Sequence, residues 1–199
     1  MKKEDNGIII LSILTGPSLG YNDNFPKREM WEEIVKELNG EFTVKHTIGN
    51  VIEMHNISIP YKKWTIKISV SDSKPLKFNI SFFASQDFEL FLSWEDFIEK
   101  IIKKFGKPEI ELGWKEFDNH YLIKSNRSDL VKQIFSREIQ KTILKNNVYS
   151  ISYRTDPEKR TGELTSVIQR QAGNKEMILE LVETFKLLID NLEKTRIIK

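Results

Sequence analysis

Residues 64–84 read WTIKISVSDSKPLKFNISFFA, and this stretch decides the fold class. Apolar and polar side chains alternate from Trp64 to Val70 and again from Leu76 to Ala84. Such alternation is typical of strands that bury one face and expose the other. The polar, proline-containing segment Asp72–Pro75 between them is typical of a turn. The stretch therefore predicts two neighbouring antiparallel strands.

The flanking sequence extends this pair into a larger sheet. The strand-like segments Phe42–Ile48 and Val51–Ile57 flank Gly49-Asn50, a two-residue hairpin signal. A further short strand is predicted over Phe88–Leu92. Four or five consecutive strands at this spacing predict an antiparallel β-meander.

Helical spacing of apolar residues predicts about four helices packed against this sheet. They are predicted to begin at Pro26, Ser93, Ser125 and Asn174 and to end near residues 39, 105, 145 and 194. Strand pairs are expected before the last two helices, over Glu109–Gly113 with Phe117–Lys124 and over Val148–Arg154 with Leu164–Arg170. Because strands and helices come in blocks, the predicted class is α+β.

The length favours one domain. A chain of 199 residues fits a single α+β domain over 1–199. Gly106-Lys107-Pro108 marks a weak boundary between a helix-plus-meander part, 1–106, and a ββα-ββα part, 107–199. The shared strand-pair-plus-helix order of Gly113–Lys145 and Val148–Lys194 suggests two similar halves.

Composition excludes several kinds of chemistry. The absence of cysteine excludes disulfides, thiolate metal sites, iron–sulfur clusters and cysteine nucleophiles. A net charge of +2 provides no global field toward nucleic acid or acidic membranes. The apolar run Ile8–Leu14 is shorter than a membrane span, which needs about 20 residues. Thr15–Ser18 after it is a poor cleavage site for a signal peptide, so secretion is the less favoured alternative. We therefore expect a soluble, cytoplasmic protein without a membrane span.

Two histidines and a glutamate form one candidate site. With Gly49-Asn50 as the turn, His46 faces Glu53 across the hairpin, and His55 lies diagonally on the same face. Two imidazoles and a carboxylate are ligands that a divalent metal accepts with a position left open for water. The alternative is an ordinary cross-strand pair of His46 with Glu53. The metal site also depends on the register, because a one-residue slip would separate the three side chains.

A second candidate site lies within the predicted strand Phe117–Lys124. Asp118 and His120 would share one face of that strand, and an Asp–His pair is suited to general acid–base work. No activated serine accompanies the pair, since G-x-S-x-G does not occur. The alternative is a polar, solvent-facing strand surface opposite a buried aromatic face.

The same region carries a resemblance. The residues that carry it are Phe117-Asp118, the aromatic Tyr121 two positions after Asn119, and Ile123–Asn126 before a helix. Together they resemble a segment of uncharacterised bacterial protein families of unknown function. The resemblance covers Gly113–Leu144, about a sixth of the chain. It implies a bacterial origin and an α+β domain, and it supplies no catalytic residue.

A lysine-rich hairpin is a candidate nucleic-acid site. It carries Lys62, Lys63, Lys67, Lys74 and Lys77. Tyr61, Trp64 and Phe83 are close in sequence, and lysines interleaved with aromatic rings can bind single-stranded nucleic acid. The alternative is a solvated lysine-rich face that protects a sheet edge from aggregation. The near-zero net charge favours that alternative.

The last predicted helix has a wide apolar stripe. Its members are Ile178, Leu181, Phe185, Leu188 and Leu192. Two heptads are too few for an independent coiled coil. A stripe of this width more often packs against the protein's own sheet, and a homodimer through this helix is the alternative.

No Walker A loop, G-x-G-x-x-G, H-E-x-x-H or EF-hand loop occurs in the sequence. The leading prediction is therefore a binding or interaction domain without intrinsic catalysis and without a cofactor, whose partner is a protein or a small ligand. A metal-assisted hydrolase that uses His46, Glu53 and His55, with Asp118 or His120 as acid or base, is the first alternative. Binding of single-stranded nucleic acid at the lysine-rich hairpin is the second.

Overall fold

The computed structural model describes residues 28–46, 53–71, 74–94, 109–168 and 174–199. The described helices are α1 (Arg28–Glu37), α2 (Lys115–Asp118), α3 (Ser128–Ile134), α4 (Arg137–Lys145) and α5 (Lys175–Lys194). The described strands are β1 (Glu41–His46), β2 (Glu53–Tyr61), β3 (Trp64–Ser71), β4 (Lys74–Phe83), β5 (Glu89–Trp94), β6 (Tyr121–Ser125), β7 (Val148–Asp156) and β8 (Thr161–Ile168).

All eight strands form one antiparallel sheet in the order β1-β2-β3-β4-β8-β7-β5-β6. This arrangement confirms the predicted α+β class, and β1 to β4 are the predicted meander. The meander does not continue into a fifth strand, because the β7–β8 hairpin lies between β4 and β5. Pairing of β4 with β8 brings distant parts of the sequence together, which local alternation cannot predict.

Alternation gives the sheet two different faces. Ile66, Ile68, Phe78 and Ile80 are at most 1% exposed and point to the inner face, where the core lies. Helix α5 packs on this face, and the rings of Phe78 and Phe185 are 5.4 Å apart. The outer face of β1 to β4 carries polar and charged side chains such as those of Thr43, Thr65, Lys67 and Ser81.

The region before β6 differs from the sequence prediction. Residues 109–113 form no strand, and Lys115–Asp118 form the short helix α2 instead of the start of a strand. The Asp118 carboxylate accepts hydrogen bonds from the backbone N–H groups of Leu112 and Gly113, both at 2.8 Å, and this holds a turn. Gly113–Lys145 therefore contains one strand where two were predicted, and the two halves are not alike in the described structure.

The helix predicted from Ser125 to Lys145 is in fact two helices. Helix α3 ends at Ile134, and α4 begins after Ser136, whose side chain accepts a hydrogen bond from the Ile139 N–H at 3.4 Å. Serine is a favoured N-cap residue, and this capping signal interrupts an otherwise continuous apolar stripe. The last helix agrees with prediction, because the Asn174 side chain accepts a hydrogen bond from Met177 N–H at 2.8 Å.

Some sequence predictions lie outside the described residues. These are the apolar run Ile8–Leu14, the hairpin turn Gly49-Asn50 and the weak boundary at residues 106–108. Most of the helix predicted from Ser93 also lies there, but Ser93 itself is not a cap, because β5 continues to Trp94 and pairs Ser93 with Leu122. None of the helices in the described ranges is both long and apolar enough to cross a lipid bilayer.

Candidate functional site: a groove between two strands

Strands β3 and β4 separate toward one end. Their pairing runs from Ser71 opposite Lys74 to Lys67 opposite Asn79, and among the described residues no paired positions follow. In this divergent part each strand keeps its other neighbour, since β3 pairs with β2 as far as Trp64 and β4 pairs with β8 as far as Phe83. The two strands therefore diverge while the sheet on either side stays intact.

A groove of about 550 Å³ occupies this divergence. Consecutive residues of both strands line it, so it opens between the strands. Its lining consists of Lys63, Trp64, Thr65, Lys67, Asn79, Ile80, Ser81, Phe82, Phe83, Thr161 and Lys199. This volume lies in the range of small-molecule sites, roughly 300–1,000 Å³.

The deeper part of the groove is apolar. Trp64 is 9% exposed and Phe82 is 3% exposed, and their rings meet edge to face at 5.3 Å. Phe83 differs from both, because its outward-facing side chain is 72% exposed. An exposed phenylalanine beside a concave apolar surface is typical of a contact site.

The rim of the groove is cationic. Lys63 Nζ lies 4.8 Å from the centroid of the Trp64 ring and 3.7 Å from a Glu193 carboxylate oxygen. Lys67 is exposed and forms no ion pair within the described part of the chain. Glu163, on β8, is a nearby carboxylate on the outer face, and the side-chain amide of Asn79 donates a hydrogen bond to it. The lining itself contains no carboxylate side chain and no histidine.

The five lysines of the predicted nucleic-acid site have different surroundings. Lys62 Nζ lies 2.7 Å from Asp190 and 2.7 Å from Glu193 on α5, and these hydrogen bonds raise the pKa of Lys62 above its ordinary value. Lys63 and Lys67 line the groove, whereas Lys74 and Lys77 lie beside a separate small depression near Met54.

The predicted pairing of His46 with Glu53 is present in the β1–β2 register. The Glu53 carboxylate, however, is held by Arg28 on α1, with Nε to Oε1 at 2.8 Å and Nη2 to Oε2 at 2.7 Å. His55 Nε2 lies 2.5 Å from Glu53 Oε1, and the His55 side chain is 1% exposed. Hydrogen bonds from Arg28 and then His55 lower the pKa of Glu53 to about 2.

Arg28 was not anticipated from the sequence, because it lies 25 residues from Glu53. Its bidentate bond occupies both carboxylate oxygens that a metal would need. In the described ranges, no group of three or more His, Asp or Glu side chains is arranged to hold a metal ion.

Asp118 and His120 are not on a shared strand face. Both Asp118 oxygens accept backbone hydrogen bonds in the turn before α2. His120 is exposed, and its ring contacts Trp94 at 5.6 Å and Tyr121 at 4.9 Å. The structure places Asp118 in a structural role that the strand prediction missed, because a helical turn intervenes.

The apolar stripe of α5 lies inside the chain. The exposed fractions are 0% for Ile178, 5% for Leu181, 3% for Phe185, 1% for Leu188 and 0% for Leu192. The stripe packs against the chain's own sheet, which was the other interpretation of its width. Dimerisation through these residues would require α5 to leave the sheet.

The groove itself was not found from the sequence. One local signal points to it, because Phe83 places an apolar side chain on the face where the alternation of β4 calls for a polar one. The divergence of β3 from β4 has no such signal, since it depends on how each strand pairs with its other neighbour.

Comparison with known proteins defines the fold and no family. No protein-family model matches the chain, and no curated protein matches it. Among solved structures, it is similar to the mycobacterial trehalose monomycolate transport factor A, TtfA, with a TM-score of 0.53 and 8% sequence identity. The match covers 87% of this chain and 98% of that one. The chain thus shares an overall fold with a transport factor.

Proposed function

We propose that this chain is a binding domain without catalytic activity and that it takes its ligand in the groove between β3 and β4. The observation that carries the proposal is the exposed Phe83 beside a concave, partly apolar surface with a cationic rim. Exposed apolar residues that adjoin a preformed concavity are typical of ligand and partner sites.

The fold likeness supports this proposal. TtfA is described as a trehalose monomycolate transport factor. A domain of this fold that binds a ligand is consistent with that description. The candidate metal ligand Glu53 and the candidate acid–base residue Asp118 support it as well, because both are engaged in structural hydrogen bonds.

A variant that fills the groove tests the proposal. Ser81 is exposed and lines the groove, so Ser81→Trp places a large side chain in the binding space. Thr43→Trp is a matched control, because Thr43 is exposed on the same face in the edge strand β1. Melting temperatures of the three proteins are compared across metals, nucleotides, sugars, lipids and oligonucleotides.

The proposal predicts that at least one ligand stabilises the parent chain and Thr43→Trp but not Ser81→Trp. A ligand at 100 times its dissociation constant adds about 2.7 kcal/mol to the free energy of unfolding, which gives a clear rise in melting temperature. Stabilisation that persists in Ser81→Trp would contradict the groove as the site. Stabilisation by a divalent metal that His46→Ala abolishes would favour the hydrolase alternative.

A further inference from the structure

We infer that the groove between β3 and β4 binds an amphiphilic anion, meaning a single apolar chain that ends in a carboxylate or phosphate group. This inference rests on the proposed function and adds the chemical class of the ligand. Cationic and apolar side chains follow one another in a fixed order along the groove.

The register fixes this order. Lys67 lies opposite Asn79 at the end where β3 and β4 are still paired. Beyond that pair the strands diverge, and the groove is lined by Thr65 and Lys63 on one side and by Ser81 and Phe83 on the other. The closed end of the groove is therefore cationic and polar, and the open end has an exposed aromatic ring.

The positive charge at the closed end of the groove favours binding of an anionic group there. Lys67 is a cation without an ion-pair partner in the described structure, and the lining side chains include no carboxylate. The hydroxyl groups of Thr65 and Ser81 lie along the same path and can donate hydrogen bonds to an anionic oxygen. Glu163, on the β8 side, disfavours an anion there and leaves the β3 side as the favourable position.

The apolar surface selects the rest of the ligand. Trp64, Ile80 and Phe82 form the inner wall, and Phe83 extends the apolar surface to the rim. Of these side chains only that of Phe83 is largely exposed, at 72%; a small inorganic anion would leave its ring in water, whereas an attached hydrocarbon chain would cover it. Near the open end, the ammonium group of Lys63 lies over the Trp64 ring and 3.7 Å from a Glu193 carboxylate oxygen, so its charge is partly neutralised.

Calorimetric titration with three probes tests the inference. Decanoate carries both head and chain, decanol carries the chain without charge, and acetate carries the charge without a chain; decanoate stays below its critical micelle concentration. We expect decanoate to bind at least about fivefold more tightly than decanol at low ionic strength, in keeping with one partly exposed ion pair. The ratio of the dissociation constant of decanol to that of decanoate should fall toward one as salt is added. Acetate should give no measurable binding.

Variants locate the interaction. Lys67→Met should weaken the binding of decanoate about threefold to fivefold and leave the binding of decanol unchanged. Lys45→Met is the matched control, because Lys45 is exposed on the same outer face in β1. Ser81→Trp should abolish binding of both decanoate and decanol.

The outcomes separate this inference from the proposed function. Equal binding of decanol and decanoate, blocked by Ser81→Trp, would overturn the anion and keep the groove. Decanoate binding that Ser81→Trp leaves intact would overturn both. A thymidine oligonucleotide that binds more tightly than decanoate and depends on Lys67 would overturn the amphiphile in favour of nucleic acid.

Discussion

Tyr153 and Gly162 fit together on neighbouring strands of the sheet. A Cβ atom built on Gly162 would lie 2.5 Å from Cζ of the Tyr153 ring. Tyr153 on β7 is 1% exposed and contacts the ring of Phe88, so it has little room to move. The close approach of the Tyr153 side chain therefore requires a glycine at this position of the β7–β8 hairpin, which lies between β4 and β5 in the sheet.

We expect Gly162→Ala to lower the free energy of unfolding by about 2 kcal/mol, because the methyl group overpacks a filled site. Chemical denaturation measures the change. Tyr153→Leu removes the obstructing ring, so adding Gly162→Ala to that variant should cost less than it does in the parent chain. Equal costs in both backgrounds would contradict the contact.

The Arg28–Glu53 bond predicts a pH-dependent contribution to stability. The folded state lowers the pKa of Glu53 from 4.5 to about 2, so it favours the ionised carboxylate. The contribution is fully present above about pH 4.5 and is lost as the pH falls toward 2. The Glu53 side chain is 30% exposed, and solvent screening reduces the contribution to about 1 kcal/mol.

Glu53→Gln should therefore destabilise the chain at pH 7, and its difference from the parent should narrow between pH 4.5 and pH 2. Denaturation midpoints across this range measure the effect. Glu41→Gln is the control, because Glu41 is exposed on β1 and forms no ion pair within the described ranges. A constant difference at every pH would refute the assignment.

Asp118 should matter for stability through its two backbone hydrogen bonds. Asp118→Asn offers one acceptor oxygen and turns an amide group toward the second N–H, so it should be as destabilising as Asp118→Ala, about 1–2 kcal/mol. His120→Ala, an exposed neighbour, should have a much smaller effect. If the parent chain has a measurable enzymatic activity and a stably folded Asp118→Asn chain loses most of it, the result would instead support an acid–base role for Asp118.

The burial of the α5 stripe predicts that Phe185 stabilises the fold and sets no oligomeric state. Phe185→Leu keeps the residue apolar but loses contact with the Phe78 ring, and it should cost about 1 kcal/mol. Sedimentation velocity should show the same mass for the parent and the variant. A dimer that dissociates in Phe185→Leu would support the homodimer predicted from the sequence.

The sequence predicted what local patterns determine. Alternation over residues 64–84 gave the β3–β4 pair, and Gly49-Asn50 gave the register that sets His46 opposite Glu53. Asn174 gave the start of α5, because an N-cap is a local hydrogen bond. In each case the determining interactions lie within a few residues or within one hairpin.

Long-range pairing could not be predicted in this way. The insertion of β8 and β7 beside β4, and the bond from Arg28 to Glu53, join positions far apart in sequence. The groove has the same origin, since β3 follows β2 and β4 follows β8 where the two strands separate. Asp118 was misplaced for a different reason, because its hydrogen bonds to Leu112 and Gly113 stabilise a turn and helix in a strand-like sequence.

The most direct test of the central claim is an amide proton–nitrogen correlation spectrum of isotopically labelled protein titrated with decanoate. We expect the largest shifts on residues 63–65, 67 and 79–83, which line the groove, and we expect Ser81→Trp to remove them. Shifts centred on the stripe of α5, on Glu53 and its neighbours, or spread evenly over the sheet would contradict it.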